Sequence, residues 1–457
     1  MRAIVTSRAH AVMLLVCLLS ACSLGNPERE RCATSAECQA VFGVGFYCEV
    51  SDGTCASAVT ATCPEIFPAD AASDPSALLF GTIFDRSSPN QLAREKAARL
   101  FVSAINTRSI DGRQVALLHC DTSATEAVEA ARFLSRVDVP AIIGPSSSSD
   151  VETVFTAIRD DEVLVISPSA TATQLGRIDS REPGLLWRTA PPDTLQAAVI
   201  MARLSMTPSL ELSIIARQND TYAQSLSVLL QGEVDAAGAT LLATPQFADA
   251  TQIQRAAADA VVGDPDVVVF ISSEVSDAAT FLDEAAMLPA YDLTDLFLTD
   301  AAANEDLFTL TGGGSARFDQ VTATRPSAPN TIATREFNEA FASTFGDNPN
   351  PFSFVAHAYD ATALVVFGAS YALDASGVVT GPGIAEGITR MSMPGAETPI
   401  LASNFLMIIE TLRSAGTLNV VGASGPLDYD PSTEELTTAS YDLLTIAAPG
   451  RFEIIPP

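Results

Sequence analysis

Two segments rich in hydroxyl side chains have the composition of a small-anion site. The first, GPSSSSDV, occupies residues 144–151, and the second, SPSATATQL, occupies residues 167–175. Each follows a short apolar run, and the first also precedes a helical pattern. Serine hydroxyls beside the N–H groups and positive dipole end of a helix N-terminus suit a carboxylate. The alternative role is structural, because serines also serve as helix N-caps, and Ser149 is placed to cap this helix.

Residues for the common enzyme chemistries are scarce. The chain contains no Gly-x-Ser-x-Gly elbow, no Walker-type phosphate loop and no Gly-x-Gly-x-x-Gly fingerprint. Beyond the N-terminal segment the histidines are His119, in a predicted strand, and His357, in a predicted helix. Both positions favour structural roles. The sequence therefore predicts a protein that is not an enzyme and that holds neither a cofactor nor a metal ion.

The charge balance argues against a nucleic-acid partner. The formal net charge is −30, and Lys96 is the only lysine among 25 basic residues. Binding to a phosphate backbone requires clustered lysine and arginine side chains, which this composition does not supply. We interpret the acidity as a source of solubility rather than as a sign of a particular ligand.

The N-terminus has the layout of a secretory signal. Arg2 and Arg8 precede the apolar stretch AVMLLVCLLSA at residues 11–21, which is short for a membrane span. It ends in Leu-Ser-Ala-Cys, which resembles the bacterial lipobox. Residues 1–21 are therefore predicted to be a signal peptide and Cys22 the lipidated residue of a membrane-anchored lipoprotein in the periplasm or on the cell surface. The serine that follows Cys22 favours the outer membrane, and the alternative is an ordinary signal peptide with a chance cysteine.

Six cysteines remain for disulfides. Four of them fall between residues 32 and 55, so residues 22–62 are expected to form a lipidated, cysteine-rich module or linker. An even number outside the cytoplasm favours disulfides, although four cysteines allow three pairings. Zinc is the rival interpretation, but no histidine is near and paired Cys-x-x-Cys spacings are absent from this segment. By elimination, Cys63 is expected to pair with Cys120.

From residue 76 onward, apolar runs alternate with helical patterns. This alternation is typical of βαβ units and predicts two parallel sheets, followed by three further helices and a hairpin-like tail. Parallel sheets place ligand groups at the carboxyl ends of their strands, so two facing sheets would enclose a cleft. The predicted strands are 77–85, 115–120, 139–145, 163–168, 210–217, 240–247, 267–272 and 296–300. The predicted helices are 91–107, 124–137, 149–161, 194–204, 221–238, 251–262, 276–287, 334–345, 356–374 and 383–390.

Six motifs occur in order along the main body of the chain. They are AIIGPSSSSDV (141–151), VLVISPSATATQL (163–175), LWRTAPPDTLQA (186–197), NDTYAQSL (219–226), AYDATALVVFGASYA (358–372) and GPLDYDP (425–431). Together they resemble those of the type I periplasmic binding proteins, specifically the branched-chain amino-acid receptors of ABC transporters, and the resemblance runs from about residue 76 to the C-terminus. It predicts two Rossmann-like lobes joined by three crossings, in which residues 76–190 plus 325–424 form lobe one and residues 191–324 plus 425–457 form lobe two.

The resemblance also implies a ligand site. The family's carboxylate-binding positions correspond here to Ser147, Ser148, Ser169, Ala170 and Thr171. Its aromatic residue and its acid for the ligand ammonium correspond to Tyr222 and Asp300, although Asp300 could instead cap a helix. Three departures leave the ligand open. Ala223 replaces the usual glycine, and the loop DRSSPN (85–90) lacks a Thr-Gly pair, although its Ser87 and Ser88 could still donate hydrogen bonds. The loop ISSEVSD (271–277) also differs from common members, so Ser273 and Glu274 are further candidates.

The sequence is compatible with two functions. The first is an extracytoplasmic receptor that captures a small polar ligand, most simply an amino acid, between closing lobes for an ABC transporter. The alternative is an envelope interaction or regulatory lipoprotein on the same fold, without small-molecule transport. The cysteine-rich module favours the alternative somewhat, but it could equally be a spacer between the lipid and the binding body.

Overall fold

Two mainly parallel β-sheets divide the chain into two lobes. The computed structural model describes residues 31–447 and 450–456. The predicted signal segment and Cys22 lie outside the described residues. Strands alternate with helices in both lobes, which confirms the predicted α/β class with two Rossmann-like lobes and a small N-terminal module.

The cysteine-rich module is a short helix followed by a two-stranded hairpin. Disulfides join Cys32 to Cys48 and Cys38 to Cys55, so these sulfur atoms are bonded to one another rather than to zinc. The short segment has little apolar surface of its own, and the two bonds hold it together. Its elements are α1 (Ser35–Phe42), β1 (Phe46–Glu49) and β2 (Thr54–Ser57).

The module packs against the first lobe. The ring of Tyr47 meets Phe133 edge to face, with 5.4 Å between the ring centroids. The hydroxyl of Ser35 donates a hydrogen bond of 3.0 Å to the carbonyl of Arg136. Tyr47 and Val44 also belong to the hydrophobic core of that lobe. The module is therefore a rigid extension of lobe one.

The first half of lobe one forms a six-stranded sheet with the order β3-β5-β4-β6-β7-β8. Only β3 is antiparallel to its neighbour, and a disulfide joins Cys63, just before β3, to Cys120 in β5. The parallel strands β4, β6 and β7 are buried along their whole length, as continuous apolar runs between two helical layers must be. The elements are β3 (Glu65–Phe67), β4 (Leu78–Phe84), α2 (Pro89–Asn106), β5 (Val115–Asp121), α3 (Ala127–Val137), β6 (Ala141–Ile143), α4 (Ser148–Ile158), β7 (Leu164–Ser167) and β8 (Leu186–Arg188).

Lobe two begins after the first crossing and repeats the same plan. Its sheet has the order β10-β9-β12-β13-β14-β17-β18, with β11 also paired to β9. The last two strands of this order, β17 (Ser440–Ala447) and β18 (Arg451–Ile454), come from the C-terminal part of the chain. Phe270 stacks between Phe247 and Phe281 in its core. The elements up to the second crossing are α5 (Asp193–Leu204), β9 (Glu211–Arg217), α6 (Thr221–Ala237), β10 (Thr240–Ala243), β11 (Gln246–Phe247), α7 (Ile253–Ala260), β12 (Val267–Ile271), α8 (Val275–Met287), β13 (Asp295–Leu298), α9 (Asp306–Leu310) and β14 (Val321–Ser327).

The chain then returns to lobe one, where α11 is the central helix of the core. A Cβ atom on Gly387 would lie 2.6 Å from the Cα atom of Gly368, so the close contact of α11 with α12 requires glycine. Among the described residues, no single helix is long and apolar enough to cross a membrane, whereas α11 and α12, which meet at 114°, reach that length and composition as a pair. The elements are α10 (Ile332–Phe345), α11 (Val355–Ser376), α12 (Gly381–Met391), β15 (Glu397–Pro399), α13 (Phe405–Arg413) and β16 (Asn419–Val421).

The later crossings occur further along the chain than the sequence predicted. The segment from Arg325 to Ser327 still pairs within the sheet of lobe two, because β14 extends antiparallel to β17 (Ser440–Ala447), which is followed by β18 (Arg451–Ile454). The predicted return to lobe two at residue 425 was also too early. Tyr429 and Leu436 are buried in the core of lobe one, so that crossing lies between residues 437 and 440.

The Cys63–Cys120 bond generates a stability prediction. Replacing both cysteines by serine should lower the free energy of unfolding by about 2–4 kcal/mol, because the bond closes a loop that contains β3, β4 and α2. Thermal unfolding monitored by circular dichroism would measure the change. Replacing Cys38 and Cys55 instead should loosen the module with a smaller effect on the main transition. Equal effects of the two double variants would contradict this view of the Cys63–Cys120 bond.

Candidate functional site

A cavity of about 610 Å³ lies between the two lobes and is lined from both. This volume is typical of small-ligand sites. Its walls come from the loops that follow β4, β5, β6 and β7 in lobe one and β12 and β13 in lobe two, together with the start of α6. The carboxyl ends of both sheets therefore face the same space, as the topology of parallel sheets predicts.

The hydroxyl-rich loops of lobe one hold each other in place. A Cβ atom on Gly144, which has φ +99°, would lie 2.4 Å from the carbonyl oxygen of Ile83, so only glycine fits the turn after β6. The Ser167 hydroxyl donates to the carbonyl of Pro145 at 2.7 Å and accepts from the N–H of Ala170 at 3.1 Å. These bonds tie the loop after β6 to the loop after β7.

The predicted carboxylate-binding residues divide into two groups. Ser147, Ser148, Ser169 and Thr171 line the cavity, whereas Ala170 is buried behind its wall. Much of their hydrogen-bonding capacity is used within the protein. The Ser148 hydroxyl accepts from the N–H of Thr171 at 3.2 Å, and the Ser169 hydroxyl donates to the carbonyl of Ser146 at 2.8 Å.

The helix cap is Ser147 and not Ser149. Ser147 has extended backbone angles, and its hydroxyl accepts from the N–H of Asp150 at 3.1 Å. The Ser149 hydroxyl instead accepts from the N–H of Thr221 in lobe two, also at 3.1 Å. The prediction that Ser149 caps the helix was wrong because the helix begins one residue earlier, at Ser148.

Arg94 provides a buried positive charge in the wall of lobe one. Its Nε atom donates to the carbonyl of Ser353 at 3.0 Å, and its Nη1 atom donates to the hydroxyl of Ser169 at 3.0 Å. The guanidinium also lies over the ring of Phe354, 5.3 Å from its centroid. Burial lowers the pKa of Arg94 to about 10, so the group remains charged at neutral pH. Within the described part of the chain, Nη2 makes no hydrogen bond to protein.

Asp300 provides a buried carboxyl in the opposite wall. It follows β13, as the sequence predicted, and accepts hydrogen bonds from the Tyr222 hydroxyl and from Nε2 of Gln196. Burial raises the pKa of Asp300, while these two donors and the charge of Arg94 oppose that rise. The structure thus brings the predicted pair, Tyr222 and Asp300, into direct contact at the cavity.

Hydrogen bonds also join the lobes along one side of the cavity. Beyond its contact with Ser149, Thr221 donates through its hydroxyl to Glu152 at 2.9 Å. The N–H of Thr173 donates to the hydroxyl of Ser225 at 3.0 Å. The loops of lobe one therefore meet the first turns of α6.

A two-lobed protein with a buried cation and a buried carboxyl facing one cavity has the form of a ligand receptor. The sequence from residue 79 to residue 408 matches the family model of periplasmic binding proteins. The chain belongs to the periplasmic binding protein family. Members of this family bind ligands outside the cytoplasm, so the coarse prediction of an extracytoplasmic ligand-binding protein is confirmed.

One protein of known sequence and two solved structures illustrate what this binding protein is similar to. The chemotactic signal transduction system substrate-binding protein BasB of Halobacterium salinarum is 28% identical over 356 residues, which are 76% of this chain and 80% of the relative. The isoleucine complex of LivJ, a branched-chain amino acid transporter substrate binding protein from Streptococcus pneumoniae, is 17% identical, with a TM-score of 0.63 over 83% of this chain and 100% of that one. The leucine binding protein LivK of Thermotoga maritima is 17% identical, with a TM-score of 0.66 over 83% and 98%. At these identities the two structures show the fold.

The remaining candidate residues of the binding protein divide into those that line the cavity and those that do not. Ser87, Ser88, Ser273 and Glu274 line the cavity, but the Ser88 hydroxyl also caps α2. Neither histidine of the described region lies there. His119 bonds through Nδ1 to the hydroxyl of Thr82 at 2.9 Å, and His357 is buried in α11.

Sequence reasoning missed Arg94 and Ser146. Arg94 lies three residues before Ala97 and seven before Phe101, so it shares the buried face of α2 with these apolar residues. A cation at an apolar position of a helical pattern was the signal in the sequence that pointed to a buried charge. Ser146 precedes the predicted serines and lines the cavity, and its Oγ atom has no partner among the described residues. Its position beside Ser147 offered a weaker signal.

Asp193, the first residue of α5, generates a pH prediction. Burial raises its pKa to about 7, and the nearby charge of Asp300 acts in the same direction. The folded state therefore holds a proton that the unfolded state has lost, so the free energy of unfolding should fall as the pH rises from about 4 to about 7. Replacing Asp193 by asparagine should remove that part of the decline, at most about 4 kcal/mol.

Urea denaturation at several pH values would measure this effect. Asp295→Asn, an exposed position at the start of β13, is the matched control and should leave the pH dependence unchanged. Parallel curves for the parent and Asp193→Asn would mean that Asp193 ionises like an exposed carboxyl.

Proposed function

We propose that this binding protein captures a small zwitterion, most simply an α-amino acid, between its lobes and does not catalyse a reaction on it. The observation that carries the proposal is the pair of buried charges in opposite walls, Arg94 in lobe one and Asp300 in lobe two. A carboxylate and an ammonium group complement these two walls when both lobes contact the ligand. A ligand that lacks either charge would leave one buried ion uncompensated, which is costly.

The carboxylate end of the ligand would meet lobe one. Arg94 has donor capacity left after its bonds to Ser353 and Ser169, and the Ser146 hydroxyl makes no hydrogen bond within the described chain. Hydrogen bonds from a guanidinium to a carboxylate are charge-assisted and strong. The ammonium end would meet Asp300, whose orientation Tyr222 and Gln196 hold from lobe two.

The expected cellular setting is a lipid-anchored receptor for an ABC transporter. The family assignment supports a place outside the cytoplasm. Lipidation at Cys22 and an outer-membrane location are proposals from the N-terminal sequence. The alternative is an envelope interaction or regulatory role without transport. A sensory form of that role, in which the liganded protein contacts a membrane receptor, is favoured by the relative that belongs to a chemotactic signal transduction system.

Ligand binding should stabilise the protein. The full chain, produced in an oxidising compartment, would be titrated with amino acids and small organic acids by calorimetry and thermal unfolding. A ligand at 100 times its dissociation constant should add about 2.7 kcal/mol to the free energy of unfolding. Trp187 is buried in lobe one against Tyr429, so heat and melting are better reporters than its emission. A flat response of folded protein to the whole panel would contradict the proposal.

The buried carboxyl of lobe two should be required for amino-acid binding. Asp300→Asn keeps the shape of the side chain but removes its charge, so the dissociation constant should rise at least about tenfold, or about 1.4 kcal/mol. The exposed Asp295→Asn, in the same strand region, should bind like the parent. Unchanged affinity of Asp300→Asn in calorimetry would remove Asp300 from the site.

The proposed lipid anchor has its own test. Cys22→Ser should release the protein from the membrane fraction into the soluble extract, because the acyl chains would no longer be attached. Fractionation followed by immunoblotting would measure the distribution. Equal membrane association of parent and variant would contradict lipidation at this cysteine.

A further inference from the structure

The cavity carries a large excess of negative charge. Arg94 is its one lining residue with a positive charge, against six carboxyl groups. None of the six forms an ion pair with lysine or arginine among the described residues. Arg217 is nearby, but it pairs with Asp277. The six are Asp85, Glu126, Asp150, Glu274, Asp300 and Asp306. A single zwitterion offers no net charge to balance them.

Three of these carboxyl groups form an acidic trio (Glu126, Asp150 and Glu274) that spans the cleft. Glu126 and Asp150 belong to lobe one, and Glu274 belongs to lobe two. Burial raises the pKa of Asp150, and the charge of Glu126 raises it further. Burial also raises the pKa of Glu274, the charge of Arg217 opposes that rise, and the charges of Asp277, Asp220 and Asp150 add to it. Asp150 therefore repels Glu126 within lobe one and Glu274 across the gap between the lobes. All three residues are exposed, so solvent screens this repulsion.

Few hydrogen-bond donors of the protein reach the carboxyl groups of the trio. The Ser147 hydroxyl donates to Asp150 at 2.8 Å. The side chains of Glu126 and Glu274 accept no hydrogen bond from any described residue. A cation between the lobes would replace this repulsion by attraction and would favour closure.

Arg94 and Ser146 independently point to a ligand that also has a carboxylate. Both residues are at least nine-tenths buried and line the cavity, and each keeps hydrogen-bonding capacity that the described protein does not use. A cationic ligand without a carboxylate would leave the hydrogen-bond donors of Arg94 and Ser146 without an acceptor. The trio therefore complements a positive charge on one part of a ligand, and the wall around Arg94 complements a negative charge on another part.

The rest of the lining is poorly suited to an aliphatic side chain. Of the 28 lining residues, 22 are polar or charged. The six apolar ones are Pro89, Ala127, Val275, Ala301, Leu310 and Phe354. A branched aliphatic side chain would be placed among carboxylates without neutralising any of them.

We propose that the preferred ligand is an α-amino acid whose side chain carries a positive charge, with its carboxylate at Arg94 and its side-chain cation at the acidic trio. This inference rests on the proposed amino-acid-binding function and specifies the ligand class. The α-ammonium then meets Asp300, and the side chain extends toward Glu274 and Asp150. The ligand carries a net positive charge, in agreement with the cavity.

The test compares ligands that differ in one charge. L-lysine and L-norleucine share an unbranched four-carbon side chain, but only lysine has the terminal ammonium, and cadaverine is lysine without its carboxylate. Calorimetry with the full chain should give a dissociation constant for lysine at least tenfold lower than for either of the others. L-arginine should bind like lysine, and L-glutamate should bind more weakly than L-norleucine.

Variants test whether the acidic trio causes the preference for a positively charged side chain. Glu274→Gln should reduce the ratio of lysine to norleucine affinity several-fold. Glu233→Gln, an exposed change of the same kind on α6 of lobe two, should leave the ratio unchanged. Thermal unfolding of both variants checks that they are folded.

Each outcome bears on a different proposal. Norleucine or leucine binding as tightly as lysine would overturn the cationic preference but leave the amino-acid function standing. Cadaverine binding as tightly as lysine would overturn the role of the Arg94 wall. Absence of binding to every amino acid, with folded protein, would overturn the proposed function and this inference together.

Discussion

The buried guanidinium of Arg94 holds together three segments of lobe one. It joins α2 to the loop after β7 through Ser169, and to the turn before α11 through Ser353 and Phe354. Burying such a group is costly unless its donors are satisfied, so these segments must lie where they do if Arg94 is to remain charged. Asp300 has the corresponding position in lobe two, held by Tyr222 and Gln196. Arg94 and Asp300 thus give the two walls of the cavity buried ionisable groups of opposite sign.

The connections between the lobes surround a second set of buried charges. Arg188, at the end of β8, pairs with Glu435, and its carbonyl accepts from the Tyr429 hydroxyl at 2.8 Å. The next residue, Thr189, donates to the carbonyl of His357 in α11 at 2.8 Å. The first crossing is therefore tied firmly to lobe one. Motion of lobe two would have to occur beyond these bonds, and crossings of this kind allow hinge closure.

The disulfide-bonded module changes how the N-terminal region is understood. A spacer was one of two interpretations, but Tyr47 and Ser35 attach the module to α3 of lobe one. The Cys63–Cys120 bond continues this attachment into the sheet. An anchor placed before the module would then hold lobe one and leave closure to lobe two.

The sequence by itself determined the fold class and most of the elements, because buried parallel strands are unbroken apolar runs and helices repeat their apolar residues at helical spacing. It did not reveal β14, whose polar residues and proline obscure the pattern, or the positions of the later crossings, which depend on where Tyr429 and Leu436 are buried. Six of the seven predicted ligand residues line the cavity because motif positions at strand ends converge in this topology. Only the tertiary structure decided the charge of the site. Arg94, Glu126, Asp150 and Glu274 are far apart in sequence, and their charges act together only after folding brings them to one cavity.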